Sequence, residues 1–150
     1  MALILDAGPI FAALDVRDTH YEACRELIDE TDEDLLVPAP VLAEVDYLIR
    51  RWLYLGVELR FLQDIAEGAF VIADLTLSDY VRIREICEKY ADADIGLVDA
   101  SIVAIAERLN EPKIATLDHR HFGIIKPRHV KSLQLLPRLT RLRPQRTLKK

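Results

Sequence analysis

Four carboxylates stand in apolar surroundings, where a charged group needs a partner or a cation to offset its desolvation. Asp6 follows Leu3-Ile4-Leu5, and Glu44 lies in "VLAEVDYLI". Asp99 lies in "GLVDASIVAIAERL", and Asp118 follows Ile114-Ala115-Thr116-Leu117. Most other acids fall in solvated runs such as "DETDED". Each of the four has an ordinary explanation on its own. Asp6 or Asp118 could cap or begin a turn, Glu44 could sit half-exposed or pair with Arg50 or Arg51, and Asp99 could pair with a buried base. Brought together, they repel until some take up protons or a cation neutralises them. An all-oxygen donor set suits Mg²⁺ or Mn²⁺ and lacks the Cys and His that zinc favours. Such a site lowers the pKa of a bound water and steadies charge developing on a phosphate. The set therefore points to metal-assisted hydrolysis of a phosphodiester.

What would bring the four together is a sheet. "ALILD" (Ala2–Asp6) reads as a buried strand stopped by Asp-Ala-Gly-Pro. Further strands are expected at Leu35–Val37, Ala69–Leu75, Lys113–Asp118 and Val130–Pro137. Helical patterns fall at about Ile10–Asp15, His20–Glu30, Val41–Leu53 and Val57–Glu67, with Gly68 as a stop. "SDYVRIREICEKY" is a further helix with Ser78 as its N-cap, followed by the Gly96–Leu109 helix. Strands alternating with helices predict an α/β fold with a mostly parallel sheet covered on both sides. In open parallel sheets function collects beyond the carboxyl ends of the strands. Asp6 ends the first strand and Asp118 the fourth, so both belong at one edge. Asp92 and Asp94 read as caps or helix-dipole contacts, with an accessory metal or substrate contact as the alternative. Asp46, two positions after Glu44, faces elsewhere on its helix. His119, Arg120 and His121 read as a solvated loop or as contacts to a substrate phosphate. Tyr47, Trp52 and Tyr54 suit packing or a subunit interface better than base stacking.

The chain of 150 residues, 51% hydrophobic and 30% charged, is the size and composition of one globular domain. No charge-free apolar run approaches a membrane span, and the N-terminus lacks the basic start of a signal peptide. Cys24 and Cys87 have no metal-type spacing and read as reduced thiols, which fits a cytoplasmic protein. The net charge of -5 hides an asymmetry: residues 120–150 hold 10 of the 20 basic residues and none of the 25 acids. Such splitting suits a polyanion or an acidic partner, or else a solvated tail. The apolar pattern thins from about Arg138. The expected division is therefore a folded domain, 1–137, and a basic tail, 138–150, that is mobile.

The motifs "LILDAGPIFAALD", "VLAEVDYLI", "GLVDASIVAIAERL" and "IATLDHRHFGIIKP" resemble those of PIN-domain ribonucleases, specifically the VapC-type toxins of bacterial toxin–antitoxin pairs. The resemblance covers nearly the whole chain. It implies a three-layer α/β/α sandwich. It implies Asp6, Glu44 and Asp99 as the core acidic triad and Asp118 as the fourth acid, with Asp6 and Asp99 as direct metal ligands. Thr116 matches a hydroxyl position that orients a metal-bound water. The implied activity is Mg²⁺-dependent endoribonuclease cleavage of structured RNA, tRNA or ribosomal RNA, with Mn²⁺ as a substitute ion. The implied partners are a cognate antitoxin and a second copy of the chain.

Other classes remain to be weighed. A PIN-like protein that binds or processes RNA without being a toxin is the alternative within the resemblance. A phosphoacceptor or phosphatase is disfavoured, because "LDAG" lacks the second Asp of a DxD nucleophile motif and no acid pair ends the first strand. A module that holds RNA or an antitoxin without cutting would not need the four acids intact.

Overall fold

The computed structural model describes residues 1–139. Its strands are β1 (Ala2–Leu5), β2 (Asp34–Pro38), β3 (Val71–Ala73), β4 (Lys113–Ala115) and β5 (Gln134–Leu136). The α-helices among the described residues are α1 (Ala7–Leu14), α2 (Tyr21–Glu30), α3 (Ala39–Trp52), α4 (Leu55–Ala66), α5 (Leu77–Lys89), α6 (Leu97–Leu109) and α7 (His119–Ile124). The strands form one five-stranded parallel sheet in the order β3-β2-β1-β4-β5. With helices on its two faces it makes the expected α/β/α sandwich.

The order explains where a site can form. From β1 the chain winds outward through β2 to β3, then returns to the other side of β1 for β4 and β5. The winding reverses between β1 and β4, and a crevice opens there because the connections leave in opposite directions. Leu5 pairs with Ala115, so the residues just beyond these two strands emerge side by side.

The core is built from short runs rather than long amphipathic stripes. All four residues of β1 are buried, as a central parallel strand requires. In α6 every residue from Ala100 to Ala106 is buried. Its alanines let it lie close against β1, β2, α3 and α5 at once. Ser101, the polar residue of that run, donates its hydroxyl to the Val98 carbonyl at 2.6 Å and so leaves no orphan. The α5–α6 contact is tied on its outer side by Arg82, which grips Glu107 through two nitrogens at 2.8 and 2.9 Å.

Several boundaries differ from the sequence expectation, each for a local reason. The first helix begins at Ala7, directly after β1, because Asp6 caps it by accepting the Ala7 N–H at 2.8 Å. The cap of α5 is Thr76, not Ser78: Thr76 and Asp79 form a reciprocal capping box two residues upstream of the expected start. Gly68 stands beyond the end of α4 with φ +84°, as its stop role requires. Neither Asp92 nor Asp94 caps α6. Gly96 holds that position, Asp92 lies in a 3₁₀ turn (Ala91–Ala93), and Asp94 closes that turn at φ 55°. His119–His121 form the first turn of α7 rather than a loop. Arg128 of the basic half is held at 2.6 Å by Glu85, so part of that charge serves the fold. Arg138 and Leu139 are exposed, and the rest of the expected tail lies outside the described residues.

Candidate metal centre

The crevice at the carboxyl ends of β1 and β4 is a cleft of about 550 Å³ lined by Asp6, Gly8, Glu44, Leu48, Asp99, Leu117, Asp118 and His121. All four acids singled out from the sequence line it. They come from four places: the end of β1, the middle of α3, the first turn of α6 and the residue that opens α7.

Asp6 is the most constrained. It is 8% exposed, and both its oxygens accept a hydrogen bond. Oδ1 takes the Ala7 N–H, and Oδ2 takes the Thr116 hydroxyl at 2.8 Å. Thr116 is fully buried and also accepts the Asp118 N–H at 3.0 Å. Its hydroxyl therefore links the first and fourth acids. Burial raises the Asp6 carboxyl above its ordinary pKa, against the lowering pull of the Thr116 and Ala7 hydrogen bonds and with a further push from Asp118. Each Asp6 oxygen keeps a lone pair for a cation.

Asp99 sits at the cleft edge of α6, in its first turn, with its side chain 24% exposed. It is thus half-buried rather than sunk among the apolar residues that follow it. Burial, then the charges of Asp6 and Asp118, push its pKa up to about 6, with Glu44 adding to the rise and His121 opposing it. Glu44 is exposed as a whole residue, yet its carboxyl faces the cleft. Partial burial and then Asp6 raise it. Among the described residues it makes no ion pair with Arg50 or Arg51.

Asp118 holds α7 in place. Its Oδ1 accepts the His121 N–H at 3.1 Å, and Oδ2 lies 2.7 Å from Nδ1 of the His121 ring. That nitrogen is also 3.9 Å from Oδ2 of Asp99. Asp99, Asp118 and His121 each offer a donor atom, all within 4.8 Å of one another. The all-oxygen expectation is therefore incomplete, since an imidazole nitrogen stands in the cleft. The signal was the Asp118-x-x-His121 spacing, which on a helix capped by Asp118 returns the third residue to the cap. His119 behaves differently: its Nε2 meets the Thr116 carbonyl at 3.0 Å.

Asp6, Glu44 and Asp99, raised by burial first and then by neighbouring carboxylates, are the donor chemistry that a divalent cation satisfies. The residues present fit such an ion. Asp46 stays out of the cleft and faces Glu58 of α4 instead. Tyr47, Trp52 and Tyr54 are 64%, 59% and 73% exposed, which removes packing in this chain's own core as their explanation. The Arg51 guanidinium stacks 4.7 Å above the Trp52 ring.

The family model of the PIN domain matches residues 3–126. The chain is 34% identical over 125 residues to ribonuclease VapC26 of Mycobacterium tuberculosis, spanning 83% of this chain and 93% of that protein. In three dimensions it is similar to M. tuberculosis VapC20, a sarcin-ricin loop cleaving toxin, with TM-score 0.69 and 14% identity over 86% of this chain and 98% of that one. It is also similar to VapBC2 of Rickettsia felis bound to a DNA fragment from its promoter, with TM-score 0.64 and 19% identity over 91% and 100% of the two chains. At such identities the structural likeness speaks to the fold.

Proposed function

The chain belongs to the PIN-domain family, and from that membership we propose that it is a metal-dependent endoribonuclease acting as the toxin of a toxin–antitoxin pair. The observation that carries the reading is the convergence of Asp6, Glu44, Asp99 and Asp118 on one cleft at the switch point of the sheet. The identity to a ribonuclease over most of both chains supports it. Structured RNA, tRNA or ribosomal RNA, is the proposed substrate, in a cytoplasmic setting.

Mg²⁺ is the proposed ion, with Mn²⁺ able to replace it. Asp6 and Asp99 would hold it, helped by Asp118 and Glu44. When bound, a divalent ion offsets the repulsion among these acids and makes a coordinated water more acidic. Thr116 fixes the Asp6 rotamer and the start of α7, so the donors need little reorganisation. Leu48 and Leu117 wall the cleft and limit the water around the reacting phosphate. In the hydrolysis, water adds to phosphorus and one bridging P–O bond breaks. The departing oxygen takes up a proton, leaving a phosphomonoester and a hydroxyl. Arg120, exposed on α7 beside the cleft, suits the RNA backbone, and such a contact weakens with salt.

A cognate antitoxin and a second copy of the chain belong to the same reading. Tyr47 and Trp52 of α3 and Leu59 and Leu62 of α4 are large apolar side chains left exposed, and they suit such a partner.

The test is incubation of the protein, free of antitoxin, with total RNA and Mg²⁺. Discrete cleavage abolished by EDTA and by Asp6→Asn is the expected result. Cleavage by Asp99→Asn at the wild-type rate would refute the metal-site assignment.

A further inference from the structure

We propose that His121 is a direct ligand, with Asp99 and Asp118, of the divalent cation in this cleft, and that its imidazole makes the site favour Mn²⁺ over Mg²⁺. The inference rests on reading the cleft as a metal site and adds to it a nitrogen donor and a preference among ions.

Three observations carry it. First, the compact donor cluster among the described residues is not the set of four acids but Asp99, Asp118 and His121, whose donor atoms all lie within 4.8 Å of one another. Donors about 2.0–2.2 Å from one ion stand up to about 4.4 Å apart, so this spacing needs only a small contraction around a cation. Second, the ring is held there by the backbone. Asp118 caps α7 and accepts the His121 N–H, which sets the imidazole against the Asp118 carboxylate at 2.7 Å. Third, the two histidines of this turn have separate tasks. His119 meets the Thr116 carbonyl, whereas Nε2 of His121 makes no hydrogen bond among the described residues, in a side chain 32% exposed. Without an ion, the 2.7 Å contact has Nδ1–H donating to the Asp118 carboxylate; with a cation between them, the ring carries its proton on Nε2, where water can accept it, and turns the Nδ1 lone pair to the ion.

The ion preference follows from donor chemistry. Mg²⁺ prefers oxygen ligands and keeps several waters, so a nitrogen adds little to its binding. Mn²⁺ accepts the same carboxylates and, as a transition-metal ion, gains more from an imidazole.

The test uses the full chain without RNA, so it does not depend on activity. Mn²⁺ and Mg²⁺ are titrated calorimetrically into the wild type and His121→Ala, with melting curves to confirm that both are folded. The expected result is tighter Mn²⁺ than Mg²⁺ binding in the wild type. In His121→Ala the Mn²⁺ affinity should fall about tenfold or more, on the scale of lost ligand support, while the Mg²⁺ affinity changes little. An independent readout needs no variant: Mn²⁺ bound to wild-type protein should show electron-spin-echo coupling to an imidazole nitrogen, altered by ¹⁵N-histidine labelling. Equal losses for the two ions would make His121 only a support for Asp118 and overturn the proposal. So would bound Mn²⁺ without nitrogen coupling. Failure of the wild type to bind either ion would instead refute the metal-site reading itself.

Discussion

Thr116 donates its hydroxyl hydrogen to Oδ2 of Asp6 at 2.8 Å across 110 positions of sequence. The Thr116 hydroxyl oxygen in turn accepts the Asp118 N–H at 3.0 Å. One buried hydroxyl thus sets the distance between two carboxylates that would otherwise drift apart through repulsion. Replacing it by valine keeps the shape and removes both bonds. Thr116→Val should lower stability by about 1–3 kcal/mol, because the Asp118 N–H loses its partner. It should weaken divalent-ion binding about 10- to 100-fold, while Thr116→Ser retains most of it. Thermal melting and calorimetry of the two variants check this. Wild-type affinity in Thr116→Val would remove Thr116 from the site's support.

Asp99→Asn should make the metal-free protein more stable while weakening its response to metal. Burial, then Asp6 and Asp118, raise Asp99 to about 6, so its charged form is disfavoured in the folded state. For a raised carboxyl the stabilising contribution is present at low pH and lost as pH rises through about 6. Above that, the folded chain carries a repulsion that the neutral amide removes. Melting at pH 7.5 in EDTA should show a higher midpoint for Asp99→Asn, and added Mn²⁺ should raise the wild type more than the variant. A lower midpoint in EDTA would contradict the repulsion argument.

Asp79 should govern part of the acid sensitivity of the fold. Burial alone would raise it, but the Thr76 backbone N–H and the Arg108 guanidinium, at 3.1 Å, bring it below the ordinary aspartate value. A depressed carboxyl stabilises above its unfolded pKa of about 3.9, and that stability is lost as pH falls through the folded value. Asp79→Asn should therefore cost about 1–3 kcal/mol at neutral pH and flatten the decline in acid. Urea titrations between pH 3 and pH 7 read both. An unchanged acid slope would mean that other carboxylates dominate.

Glu58 should act in the opposite sense. It is 6% exposed on α4, and its Oε2 has no hydrogen-bond partner among the described residues. Burial and then Asp46 of α3 raise its pKa, with Arg50 opposing. Its stabilising contribution is lost as pH rises through that raised value. Glu58→Gln supplies an amide that can donate to Asp46 without adding charge. The variant should melt higher than the wild type at neutral pH, with the difference shrinking in mild acid. No gain at neutral pH would show that Arg50 already neutralises the pair.

Much of this protein was legible in the sequence because its signals are local. The run Ala2–Leu5 before Asp6, and Ile114–Ala115 before Asp118, give buried strands and the acids that end them. The apolar stretch around Asp99 marks an acid that needs a reason. Alternation of such strands with helices gives the layered fold, and four acids in apolar settings give the chemistry. Helix starts were less legible. Thr76 and Ser78 are both good caps, and the Asp79 side chain reaching back to the Thr76 N–H decides between them.

The sequence by itself determined the element types, the parallel sheet and the four carboxylates, since these follow from residue type and near-neighbour spacing. Only the tertiary structure decided which donors lie closest. The reversal of winding between β1 and β4 sets Asp6 beside Asp118. The cap on α7 then turns His121 toward Asp99, a residue on another helix 22 positions away. That meeting depends on how α6 and α7 pack beyond the same strand ends. Packing of that kind is a long-range property, and no periodicity within either segment encodes it.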